Sequence, residues 1–202
     1  MIYSSSYPGY IVFLVDQSRF TNEIVNGETI ANTFVKILNK QIENVICNNM
    51  AGEGIKDRVF ISIIGYGGNN DVTNIRSDYL SEYAENPIRI DEVNQSVDDG
   101  NGGLVTIKKE QPIFIESIAK GERNIIKAFQ FAKEFAEGWN LRKPDSPVPI
   151  IYHLKSGIGF NEIEEVKQIS KEIKNIKNRS GYGVRIINTL YSKFLIRFNP
   201  FE

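Results

Sequence analysis

Few side chains in this sequence could carry chemistry, and their settings limit what that chemistry could be. His153 is the only histidine and lies inside the apolar run 148–154. It reads as a hydrogen-bonded core or rim residue, and any Ser-His-Asp or Cys-His centre would have to be built around it alone. No Gly-x-Ser-x-Gly elbow is present. Cys47 is the only cysteine, which excludes an intrachain disulfide and a cysteine-based metal cluster. It falls in an amphipathic stretch and is expected to be a small buried apolar residue. Two carboxylate groups, Glu134 with Glu137 and Glu162 with Glu164 and Glu165, fall on helical segments expected to face water there. Lys155 is the one amine placed to act as a base of shifted pKa, and as a loop lysine it is expected to be solvated. Three glycine-rich spots invite a phosphate reading and none fits it. Gly65-Tyr66-Gly67-Gly68 is followed by polar, helix-poor sequence, residues 100–103 follow no strand, and Lys155-Ser156-Gly157 lacks upstream glycine spacing.

The elements that must position these residues alternate between apolar runs and amphipathic stretches. Residues 10–15 form a short continuous apolar run ending at Asp16, the pattern of a strand buried on both faces. Ile30, Phe34, Ile37, Leu38, Ile42, Val45 and Ile46 recur at helical spacing, and residues 59–64 form a second apolar strand. Ile125, Ala128, Phe129, Ala132, Phe135 and Ala136 mark another helix, and residues 148–154 a third strand. Asn161 with Glu164 resembles a capping pair for a helix whose inner face is Ile163, Val166, Ile169, Ile173 and Ile176. Residues 184–190 give a fourth core strand, and residues 194–198 an edge strand. Residues 69–115 are polar and irregular, with strand candidates only at 104–107 and 112–115. They are expected to be an insertion or edge ribbon within one domain spanning residues 1–202. The fold class this implies is α/β, with a doubly wound, mostly parallel sheet and helices on both faces. Ligands of such folds sit outside the carboxyl ends of the strands, so interest falls on the loops after each strand.

Bulk properties narrow the function. A chain of 202 residues, 41% hydrophobic, suffices for one well-buried core. With 24 basic and 25 acidic residues the net charge is -1, so no global field points to nucleic acid or an anionic membrane. No signal-peptide pattern and no stretch of transmembrane length is seen. The expectation is a cytoplasmic protein.

The segment Val15-Asp16-Gln17-Ser18-Arg19-Phe20 resembles the start of von Willebrand factor A (vWA) domains, where the first strand ends in Asp-x-Ser-x-Ser. Further resemblances follow in order over nearly the whole chain. Residues 58–68 are similar to the second core strand. Residues 115–124 are similar to the segment that carries Gly-x-Thr before a helix. Residues 148–157 are similar to the strand ending in Thr-Asp-Gly, and residues 188–200 to the closing strand. The resemblance implies the Rossmann-like vWA fold and a rim where the family holds a metal ion through the first-loop Asp and two Ser, a Thr and a second Asp. Asp16 and Ser18 keep their types, while Phe20, Arg123 and Ser156 stand at the other three positions. Mg²⁺ needs near-octahedral oxygen coordination, which Phe20 cannot supply. At ~4 Å and an effective dielectric of ~20, two unit charges interact by about 4 kcal/mol, so Arg123 would repel a divalent ion by about twice that. No metal or other cofactor is therefore expected, Mg²⁺ through Asp16 and Ser18 being the alternative. The guanidinium of Arg123 is expected to fork onto Asp16 in the ion's place. The resemblance implies a non-catalytic protein-binding module whose partner offers an acidic residue, in a bacterial signalling, tellurite-resistance-like or defence setting. A metal-dependent binding domain, and a small α/β nucleotide binder or enzyme, are the alternatives.

Overall fold

The computed structural model describes residues 3–52, 54–68, 71–100, 102–157, 163–192 and 197–199. Strand β1 (Gly9–Gln17) leads through a 3-10 turn, Arg19–Asn22, and a small ribbon, β2 (Ile24–Val25) with β3 (Glu28–Thr29), into helix α1 (Ile30–Cys47). A second ribbon, β4 (Met50–Ala51) with β5 (Gly54–Ile55), precedes β6 (Val59–Gly67), β7 (Val72–Tyr79) and α2 (Leu80–Glu85). The hairpin of β8 (Arg89–Asp98) and β9 (Leu104–Ile113) follows. The chain then runs through α3 (Ile125–Arg142), β10 (Ile150–Ser156), α4 (Ile163–Lys174), β11 (Arg185–Tyr191) and β12 (Arg197–Asn199).

The central sheet has the order β12-β11-β10-β1-β6-β7. Its inner four strands are parallel, and β7 and β12 close the edges antiparallel. The apolar runs form the inner strands because both of their faces are covered. Phe13 and Val15 of β1 join a core with Phe34, Leu38 and Ile42 of α1 and Tyr83 of α2. The intervening Tyr10, Val12 and Leu14 join the opposite core, with Ala128, Phe129, Ala132 and Ala136 of α3 and Ile173 of α4. Thr29 caps α1 by accepting from Asn32 N at 3.3 Å, and Asn124 caps α3 by accepting from Lys127 N at 3.0 Å. Asn39, buried on α1, donates to Ile115 O and accepts from the amides of Phe114 and Ile115. That clip anchors the segment leading from β9 toward α3. Among the described residues no helix is long and apolar enough to cross a membrane.

The structure corrects four local expectations. The described residues of 69–115 are largely regular: they hold β7, α2 and a hairpin in which β8 and β9 pair across ten positions. The candidates at 104–107 and 112–115 merge into one strand that ends at Ile113, because Lys108 to Gln111 continue the ladder between them. Cys47 is exposed at the end of α1, on the helix face away from Leu38 and Ile42. Ile37 is exposed as well, the helical stripe being narrower than the apolar pattern. Asn161 of the expected capping pair lies outside the described residues, as do residues 194–196 of the expected edge strand.

Candidate functional site

Parallel strands β1, β6 and β10 end at the same edge of the sheet, where Asp16 at the end of β1 and Ser156 at the end of β10 meet Ser18 and Phe20, which follow β1, and Arg123, which precedes α3. Asp16 is fully buried. Its Oδ1 accepts from Ser18 N at 3.0 Å and from Ser18 Oγ at 2.6 Å. Its Oδ2 accepts from Ser156 Oγ at 2.7 Å and from Ser156 N at 3.2 Å. Arg123 completes the cluster through one nitrogen. Nη2 lies 3.0 Å from Asp16 Oδ2 and donates to Ser156 Oγ at 2.6 Å and to Ser156 O at 2.7 Å. The expected fork is thus corrected: Ser156 takes the place of a second contact to Asp16, because its hydroxyl and carbonyl stand beside the same carboxylate oxygen.

Phe20 covers the guanidinium. Its ring centroid lies 4.8 Å from the Cζ of Arg123 and 5.3 Å from that of Arg19. Phe20 is 47% exposed, while the Arg123 side chain is only 12% exposed. Arg19 in turn pairs with Glu122 at 2.9 Å in open solvent, where such a pair adds little. Among the described residues, Arg123 Nε is buried without a hydrogen-bond partner. A divalent ion fits this set poorly: Asp16 Oδ2 and Ser156 Oγ, two of the side-chain oxygens it would use, already contact a guanidinium nitrogen, and Phe20 adds none. Among the described residues no cluster of three His, Cys, Asp or Glu side chains could hold a metal.

Backbone hydrogen bonds join the loops beneath the cluster. Gly68 N donates to Lys120 O at 2.7 Å and to Gln17 O at 3.1 Å, and Lys120 N donates to Gln17 O at 2.9 Å. Arg19 N donates to Gly121 O at 3.0 Å, and the Asn22 amide side chain to Ala119 O at 3.0 Å. Glycine is required where these loops meet. A Cβ on Gly67, at φ 84°, would lie 2.6 Å from the Cα and N of Ser18. The glycines at 65–68, whose spacing first suggests phosphate, instead allow this close approach, and β7 rather than a helix follows them. Gln17, Gly67 and Gly121 fall in loops that the strand pattern singles out, at 16–20, at 65–70 and before the helix at 124, but their side-chain types give no sign of the backbone contacts they make. Gly67→Ala should cost about 1–3 kcal/mol of stability in a urea titration, and an unchanged midpoint would show that the loops do not need this contact.

His153 lies on β10 behind the cluster. Its Nε2 is 2.8 Å from Tyr66 Oη and its Nδ1 is 3.0 Å from Asn188 Oδ1, so a neutral ring donates to Asn188 and accepts from Tyr66. Burial pushes its pKa down to about 4, which suits a satisfied core residue and not a base. Lys155 belongs to β10 and is half-buried, not a solvated loop residue as expected.

No protein family and no curated protein matches the chain in sequence. In structure it is similar to the human COPII-coat protein Sec24c, with a TM-score of 0.43 and 10% identity, over 92% of this chain and 26% of that one. It is also similar to the pilus adhesin SpaC from Lactobacillus rhamnosus GG, with a TM-score of 0.34 and 12% identity, over 88% of this chain and 28% of that one. This chain therefore spans little more than a quarter of either, and neither likeness bears on what it does.

Proposed function

We propose that this chain is a protein-binding module of vWA type, doubly wound and cytoplasmic, in which Arg123 stands where that family places a metal ion. One observation carries the reading: a single nitrogen of Arg123 lies 3.0 Å from Asp16 Oδ2, 2.7 Å from Ser156 O and 2.6 Å from Ser156 Oγ. A resident guanidinium neutralises the buried carboxylate without a cofactor. The stitched loops support the reading, because a surface already ordered loses little conformational entropy on binding. The Asp16–Ser18–Ser156 cluster holds no nucleophile–base pair, and its hydroxyls donate to a carboxylate that is itself paired.

Thermal melts with Mg²⁺ and with a chelator test it. The melting temperature of the wild-type chain should not move, whereas Arg123→Thr, which removes the resident charge and adds an oxygen, should be stabilised by Mg²⁺. At a hundred times the dissociation constant the gain is about 2.7 kcal/mol. Stabilisation of the wild type by Mg²⁺ would return the metal-dependent reading to first place.

A further inference from the structure

The candidate site lies where the parallel strands end. At the opposite edge of the sheet, where β10 and β11 begin, charge of one sign collects. Residues 138–149 lead from α3 into β10 and residues 173–185 from α4 into β11, and together they carry six basic residues against one carboxylate, Asp145. The whole chain has a net charge of -1, so the excess is local. Arg142 and Lys174 stand in the last turns of α3 and α4, where a cation complements the helix dipole. Arg179 is paired with Asp145 at 2.8 Å. Lys143, Lys177 and Arg185 lie beyond both helices and form no ion pair among the described residues. The two segments are stitched into one surface. Arg179 N donates to Pro144 O at 3.0 Å, and the buried Asn178 side chain donates to Ser146 O at 3.0 Å while accepting from Tyr182 N at 3.0 Å. Asn178 N donates to Tyr182 O at 3.1 Å, which closes the turn, and a Cβ on Gly183 would lie 2.5 Å from Lys174 O, so the turn is seated on the end of α4. It presents Tyr182, 62% exposed, whose ring packs against no other aromatic ring or guanidinium among the described residues.

We infer that this edge binds single-stranded nucleic acid, with Tyr182 stacking on one base and Lys143, Lys177 and Arg185 meeting the phosphates. Every base has a π face, so an exposed ring among cations suits a single strand of any sequence. The ring sits on a turn already fixed by Asn178, and so loses little conformational freedom on stacking. In a duplex the bases are stacked on one another and offer such a ring no face. A bilayer would need an apolar face to enter, and Leu141 is the one exposed aliphatic side chain of the two segments. The surface is separate from the Asp16 cluster, so the inference stands apart from the protein-binding reading of that rim.

Fluorescence anisotropy of a labelled oligothymidylate of about 12 nucleotides, a length within the range one small domain covers, provides the test. Wild type should bind saturably, and its affinity should fall with salt with a log–log slope of about 2, at about 0.7 for each of three phosphates. Lys143→Gln, Lys177→Gln and Arg185→Gln should each reduce that slope by about 0.7. Tyr182→Ala should weaken binding by about five-fold to a hundred-fold, whereas Tyr182→Phe, which keeps the ring, should bind as wild type does. Absence of binding at about 50 mM salt overturns the inference. Equal affinity of wild type and Tyr182→Ala, or an equal loss in Tyr182→Ala and Tyr182→Phe, overturns the stacking. A duplex of the same length bound as tightly overturns the preference for a single strand. Binding to phosphatidylserine vesicles without binding to the oligonucleotide overturns the inference in favour of a membrane. The Mg²⁺ melts report on the other edge of the sheet, so either reading can fail while the other stands.

Discussion

Arg123→Ala should destabilise the fold by about 3–5 kcal/mol, the usual consequence of removing one partner from a buried ion pair. The cause is Asp16, whose carboxylate has no exposure and would keep only the serine and backbone donors around it. Adding Asp16→Asn to Arg123→Ala should recover part of the loss, because the second change removes the unmatched charge. Urea denaturation of wild type, both single variants and the double variant gives the coupling directly. A cost for Arg123→Ala below about 1 kcal/mol, the range of solvated surface pairs, would show that the pair is not desolvated.

Acid should weaken the protein through its one histidine. The folded pKa of His153 is pushed down from 6.5 to about 4 by burial, so between these values the unfolded chain binds a proton that the native state refuses. Stability is therefore complete above pH 6.5 and falls as the pH drops toward 4. At about 1.4 kcal/mol per pH unit the total is about 3 kcal/mol. Denaturation midpoints at pH 7, 6 and 5 would follow this slope. His153→Phe should flatten it between pH 6.5 and 5, where most carboxylates remain ionised. A native-state histidine signal that titrates near 6.5 would contradict the burial argument.

The central sheet was readable from residues 10–15, 59–64, 148–154 and 184–190 because strands covered on both faces need uninterrupted apolar runs, and those runs do become β1, β6, β10 and β11. The β8–β9 hairpin was not readable in the same way. Its Val93, Val97, Val105 and Ile107 share the ribbon with Asp, Glu and Lys, and most of the hairpin is solvated, so no single buried face imposes a period of two. The site was half readable. Asp16 and Ser18 are neighbours in sequence, but Arg123 lies 107 positions from Asp16, and only the family pattern suggested that they meet. The pattern placed Arg123 at the carboxylate but did not specify Nη2 as the contact or Ser156 as the second anchor. Local sequence carries no record of which nitrogen of a long side chain reaches its target.

Surface loops normally surrender their amide hydrogens to deuterium early, since their N–H groups face water or open without disturbing the core. The amides of Arg19, Gly68 and Lys120 are bonded across three separate loops, each to a carbonyl distant in sequence. None of them can open alone without breaking contact with another strand's turn. Their exchange should therefore slow together and rise together, making this rim one cooperative unit with the ends of β1 and β6.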